Sequence, residues 1–178
     1  MLLRTLFLCV CLGSFAPAAL PPGFPLADVP ISTAPGKPKI DLKRYRGKPV
    51  ILLMISLTCG HCVNAAQVMN DIQKEYRPRG LQVVGVAGGT NANTNAGGWG
   101  AHFAPEFPFG YLEKDDFLKL AGLPPDARPF VPVVLFIDPQ GMVRLRLFGN
   151  DKQMKNTSDA LTGATKELMA EVMPLVHK

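Results

Sequence analysis

Two apolar runs flanking a segment of helical period do most to limit what this chain can fold into. Residues 49–56 are apolar almost throughout and of strand length, and residues 81–87 form a second such run. A strand apolar on both faces belongs inside a sheet that is covered on both sides. Between the runs, Cys62, Ala66, Met69, Ile72 and Tyr76 recur at intervals of three and four. That spacing predicts a helix over 58–76, stopped by Pro78 and Gly80. Strand, helix and strand in this order make a right-handed parallel crossover. The expected class is α/β.

The rest of the chain fills out such a sheet. Residues 88–98, rich in Gly, Asn and Thr, lack the glycine spacing of a nucleotide-binding loop and read as a mobile loop, with a short helix around 98–104. Residues 107–112 fit a short strand, and 115–121 a short helix closed by Gly122. Residues 131–137 are a strand with Pro132 at its beginning, where a missing N–H is tolerated. Asp138, Pro139, Gln140 and Gly141 form a tight turn. Val143, Leu145 and Leu147 then alternate with Arg144 and Arg146, predicting an antiparallel strand whose arginines form a solvated face. A last helix is expected from a cap at Thr157 or Ser158, burying Leu161, Ala164, Leu168 and Val172 and ending at Pro174.

At the amino end of the chain, Arg4, the apolar residues 6–12 and the small residues around Ala16 and Ala18 have the three parts of an export signal. Removal of residues 1–18 would leave an extended, Pro-rich lead-in over 19–39, able to add an edge strand, and one domain over 40–178. An uncleaved membrane anchor is the alternative. The 178 residues fit a single domain, and 47% hydrophobic against 19% charged fills a core. The net charge of +5 comes without basic-aromatic interleaving, which argues against nucleic acid as a partner.

Cleavage would remove Cys9 and Cys11 and leave Cys59 and Cys62. They flank Gly60 and His61 at the join of the first buried strand and its helix. So short a loop is a poor structural staple but suits reversible redox chemistry outside the cytoplasm. A helix start offers unpaired N–H groups and a positive dipole end, which favour a thiolate at Cys59. A protonated His61 would favour it further, and Gly60 leaves room for a substrate backbone.

These residues, with Val131, Pro132 and the turn at Asp138, Pro139, Gln140 and Gly141, resemble the thioredoxin superfamily, and within it the exported proteins of the TlpA/ResA and redoxin type. The resemblance runs from about Lys48 to Val172. It implies a three-layer sandwich, a central mixed β-sheet flanked by helices, with an extended N-terminal segment. It also implies a cis Pro132 facing the redox pair, with Val131 offering backbone hydrogen bonds to a bound peptide. The activity it implies is thiol-disulfide exchange between Cys59, the nucleophile, and protein thiols or disulfides, with Cys62 as resolving thiol. No cofactor is expected beyond the Cys59–Cys62 disulfide, and a redox partner, membrane-bound for a reductase, completes the cycle. The pattern departs from the family where Thr58 replaces a Trp, and where Leu53 and Ala65 replace acids that help deprotonate the second Cys.

Two other readings share the fold. A peroxidase of the peroxiredoxin kind needs Pro and then Thr or Ser before its Cys; counting back from Cys59 finds Ser56 but Leu52, and from Cys62 finds Cys59 and Ile55. A Cu(I) carrier would add a distant histidine to the pair, and only His102 and His177 are available. Structural zinc needs four ligands, usually two such Cys pairs. A plain structural disulfide closes too short a loop to be favoured. Trp99 and Phe103 are expected to anchor a loop to the core rather than to cap a substrate groove, and His102 to lie at the surface.

Overall fold

The computed structural model describes residues 23–34 and 36–176; the export signal and His177 lie outside them. A six-stranded sheet runs in the order β1-β6-β5-β2-β3-β4. Its strands are β1 (Phe24–Pro25), β2 (Val50–Ser56), β3 (Gln82–Gly88), β4 (Phe109–Tyr111), β5 (Val133–Ile137) and β6 (Met142–Phe148). β2 lies at the centre, parallel to β3 from Val50 against Gln82 to Ser56 against Gly88, and antiparallel to β5. The sheet is therefore mixed, as the resemblance to the thioredoxin superfamily implies.

Because side chains alternate across a strand, β2 feeds two cores. Ile51, Leu53 and Ile55 meet α1 (Gly60–Tyr76) and α4 (Thr157–Val176), where Met69, Ile72, Leu161, Leu168 and Val172 are buried. Val50, Leu52 and Met54 meet α3 (Lys114–Leu120) through Phe117 and Leu120, together with Val29 and Ile31 of the lead-in. The lead-in is a strap. It pairs with β6 at Phe24 on one sheet edge and bridges to Tyr111 of β4 through Ser32 on the other.

Gln73 locks α1 to β3. Wholly buried, it accepts the Val83 N–H at 2.6 Å and donates to the Leu81 carbonyl at 3.1 Å. A buried amide with its partners supplied stabilises; one left unpaired costs about 1–3 kcal/mol.

Several expectations are corrected. The stretch 88–98 is not a loop, since α2 (Ala92–Phe103) occupies most of it. Its inward face is built from small residues, Ala92, Ala96 and Gly100, and a Cβ at Gly100 would stand 2.7 Å from that of Phe109. α1 starts at Gly60 rather than 58, because Cys59 holds extended backbone (φ −95°, ψ 112°) and caps it. α4 is capped by Asn156, whose Oδ1 accepts the Asp159 N–H at 3.3 Å, and not by Thr157 or Ser158. It also continues past Pro174, which falls in its last turn and removes one helical bond there.

The arginines of β6 do not form a solvated face. The register against β5 jumps from Ile137–Val143 to Phe136–Leu145, so Arg144 is the extra residue of a bulge. Val143 then joins one core and Leu147 the other. Arg144 turns onto buried Asp138 at 2.6 Å. Arg146 donates to the carbonyls of Ala121 and Gly122 and lies over the rings of Phe24 and Phe148.

Candidate active site

β2 delivers the chain to Leu57 and Thr58, then to Cys59 at the amino terminus of α1. The turn is fixed by the Cys59 N–H donated to the Ser56 carbonyl at 3.2 Å and by a 3.3 Å contact between the Ser56 and Thr58 hydroxyls. The Cys59 sulfur is the cap itself, accepting the Cys62 N–H at 3.3 Å. That first-turn N–H, which also donates to the Cys59 carbonyl at 3.1 Å, is thus shared with the first sulfur.

The two thiols, both free, occupy different surroundings. Cys59 is half-buried, whereas Cys62 is fully buried against the β2–α1 core. Burial pushes the Cys62 thiol far above its ordinary range; its hydrogen bond with Cys59 pushes the same way, and a backbone bond at Ser56 opposes them. Leu53 and Ala65, also fully buried, belong to the same apolar core, where a carboxylate would have eased ionisation.

Opposite the pair, the Val131–Pro132 peptide is cis. The Cys59 thiol donates to the Val131 carbonyl at 3.8 Å, a long sulfur bond that brings the loop before β5 against the helix start. Pro132 is buried and Val131 half-buried. Gly60 is exposed, with no atom within 4 Å of where its Cβ would be, and His61 is exposed beside it. The structure therefore gathers Cys59, Gly60, His61, Cys62, Val131 and Pro132 at the end of the sheet where β2 finishes.

Three clefts surround this centre. On the His61 side a polar groove of ≈ 840 Å³ runs between α1 and the start of α4, edged by Asn64, Asp71 and Lys155. Beyond Val131 a mainly apolar cleft of ≈ 540 Å³ is lined by Ile55, Phe117, Leu118 and Pro129. Beside Thr58 a third, of ≈ 530 Å³, is walled by Asn91, Asn95, Gly98 and His102 of the α2 region. Trp99 both borders this third cleft and stacks on Phe103 and Phe109, at 5.0 and 5.1 Å, so it anchors α2 to the core as expected. His102 is exposed, its ring edge-on to Phe103. Phe130, 65% exposed and adjacent to Val131, escaped the sequence reading; a large apolar residue beside Pro129, in a loop leading to a buried strand, was the available signal. Among the described residues no group of three His, Cys, Asp or Glu is placed to share a metal ion, and no helix is long and apolar enough to cross a membrane.

The model of the AhpC/TSA family matches residues 23–146, which takes in the lead-in strap, the Cys pair and the cis-proline loop. The chain belongs to the AhpC/TSA family. Membership makes it a thioredoxin-like oxidoreductase. No curated protein matches this AhpC/TSA chain, but solved structures do. One is a Chlorobium tepidum protein provisionally described as the thiol:disulfide interchange protein DsbE, 23% identical, covering 83% of this chain and 99% of its own, at a TM-score of 0.57. A second, provisionally a protein disulfide isomerase from Bacteroides thetaiotaomicron, is 20% identical over 89% and 96%, with a TM-score of 0.64. A third is a secreted Mycobacterium tuberculosis disulfide oxidoreductase, 20% identical over 78% and 95%, with a TM-score of 0.52. At these identities the likeness is one of fold.

Proposed function

We propose that this AhpC/TSA-family protein is a thiol-disulfide oxidoreductase that exchanges the Cys59–Cys62 dithiol or disulfide with protein substrates outside the cytoplasm. One observation carries the reading. A half-buried sulfur caps a helix within reach of the Val131 carbonyl, while its partner three residues on is sealed beneath it. The Cys59 thiolate attacks one sulfur of a substrate disulfide, forming a mixed disulfide and releasing the other substrate sulfur as a thiolate. Cys62 loses its proton, attacks Cys59 and displaces the second substrate sulfur. The substrate leaves with two electrons and, once its thiolates are protonated, two protons, and the enzyme keeps the disulfide. Reversal oxidises a substrate dithiol. Val131 and Pro132 would hold the substrate strand, and Gly60 would leave it room; no cofactor beyond the sulfur pair is required.

Export rests on the amino-terminal signal pattern and on use of the cysteines as a reversible pair. His61 between the cysteines favours the reduced form and places the potential nearer the roughly −180 mV of protein disulfide isomerase than the roughly −270 mV of thioredoxin. The peroxidase reading is weaker, because Leu52 stands where its motif needs Pro. A redox titration of the pair in glutathione buffers, with capture of clients by a Cys62→Ala variant, tests the proposal. Clients bound through Cys59 and a potential above thioredoxin's are expected. Peroxide consumption without any disulfide exchange would overturn it.

A further inference from the structure

The charge of this molecule is concentrated far from its sulfurs. Residues 37–48 hold six Lys or Arg and one Asp, an excess of five that equals the net charge of the whole chain. All six basic residues are exposed. Among the described residues only Lys43 pairs with a carboxylate, Asp28 at 2.5 Å, and Arg46 donates to the Gln140 carbonyl. Lys37, Lys39, Arg44 and Lys48 project without an ion-pair partner among the described residues.

The segment is held firmly in place. Ile40 bridges to Ile31, Thr33 donates to the Pro38 carbonyl at 2.9 Å, and Asp41 caps the tight helical turn Leu42–Tyr45. The Gly47 N–H donates to the Pro139 carbonyl at 2.9 Å, tying the segment to the hairpin turn between β5 and β6. Its last residues therefore flank the start of β2, while Cys59 follows the end. Seven residues of strand set these poles about 20 Å apart. The lead-in passes this pole, where Pro25 pairs with Met142 and the Leu26 N–H donates to the Gly141 carbonyl.

We infer that the basic pole docks on an anionic phospholipid surface, with the Cys59 pole turned away toward clients. An acidic protein partner fits less well. Tight protein interfaces centre on buried aromatic or arginine anchors in formed pockets. The cleft here holds only ≈ 40 Å³, and the exposed large hydrophobic residue of the described chain, Phe130, lies at the other pole. A lipid surface asks for clustered charge without shape complementarity.

The test titrates the full-length chain with vesicles of phosphatidylcholine alone and of phosphatidylcholine with phosphatidylglycerol. The comparison is a variant carrying Lys37→Glu, Lys39→Glu, Arg44→Glu and Lys48→Glu. Neutral vesicles report whatever the apolar residues 6–12 contribute. The wild-type chain is expected to prefer the anionic vesicles by at least about tenfold, since each basic side chain near such a surface adds about fivefold. High salt and the variant should both abolish the preference. An unchanged potential for the Cys59–Cys62 pair shows that the variant is folded and keeps this question separate from the redox reading. Anionic preference that survives in the variant, or is missing from the wild type, overturns the inference.

Discussion

Sealing a thiol in hydrocarbon has a consequence for stability that is separable from catalysis. In the unfolded chain Cys62 releases its proton near pH 8.5, whereas burial in the native state keeps it protonated well above that. Above pH 8.5 the unfolded state therefore binds fewer protons than the native one. Stability falls as pH rises, by about 1.4 kcal/mol per unit. Between pH 8.5 and pH 10.5 the loss reaches about 2–3 kcal/mol, a large share of the roughly 5–15 kcal/mol that holds a domain folded. Tyr45 and Tyr76, also raised by burial, add their own losses near pH 10. A Cys62→Ala variant cancels them. Urea unfolding of the reduced wild type and of the variant from pH 7 to 10.5 should give curves offset by a constant truncation cost up to about pH 8.5, then converging. Parallel curves throughout would show that the Cys62 thiol ionises as easily folded as unfolded, and the reasoning would fail.

Two further outcomes follow from the packing. Replacing Arg144 by Met leaves the Asp138 carboxylate, only 3% exposed, with the Met142 N–H as its remaining partner, and should cost about 3 kcal/mol. Denaturant midpoints at pH 7 read the loss, and a double variant with Asp138→Asn should recover part of it. Gly85→Ala in β3 sets a methyl group into the edge of the Phe109 ring, against which Trp99 also packs. A loss of about 1–3 kcal/mol in thermal unfolding is expected, and Trp99 fluorescence should report the shifted stack.

How far the molecule could be read in advance depended on where its information was stored. β2, β3, α1 and β5 announce themselves through large apolar side chains in unbroken or helical register, and the Cys pair is visible because its position between strand and helix is itself the chemistry. α2 was hidden because Ala92, Ala96 and Gly100 bury a face by smallness, which carries almost no apolar signal. Arg144 and Arg146 look like a wet face under strict alternation, but the bulge at Arg144 shifts the register, and that shift depends on β5 as the partner. Phe130 is a matter of tertiary placement: its exposure counts because the cis Val131–Pro132 peptide lies beside Cys59.

The same placement decides the timing of catalysis. After Cys59 is tied up in a mixed disulfide, resolution waits on the proton of Cys62, whose buried neighbours Leu53, Ala65 and Ala66 can accept none. A site with a carboxylate base near neutrality would level off above the pKa of that base. Here the resolving rate should follow the thiolate fraction alone and rise about tenfold per pH unit from pH 6 to 8, with no plateau. For the exchange proposed above, slow resolution would prolong the covalent complex and give a client time to rearrange its own disulfides before release, which would favour isomerisation over rapid reduction. The measurement is stopped-flow decay of a Cys59 mixed disulfide with a small aromatic thiol, whose release is followed by absorbance. A plateau below pH 8 would reveal a proton acceptor that this buried pocket does not contain, and the isomerase preference would lose its physical basis.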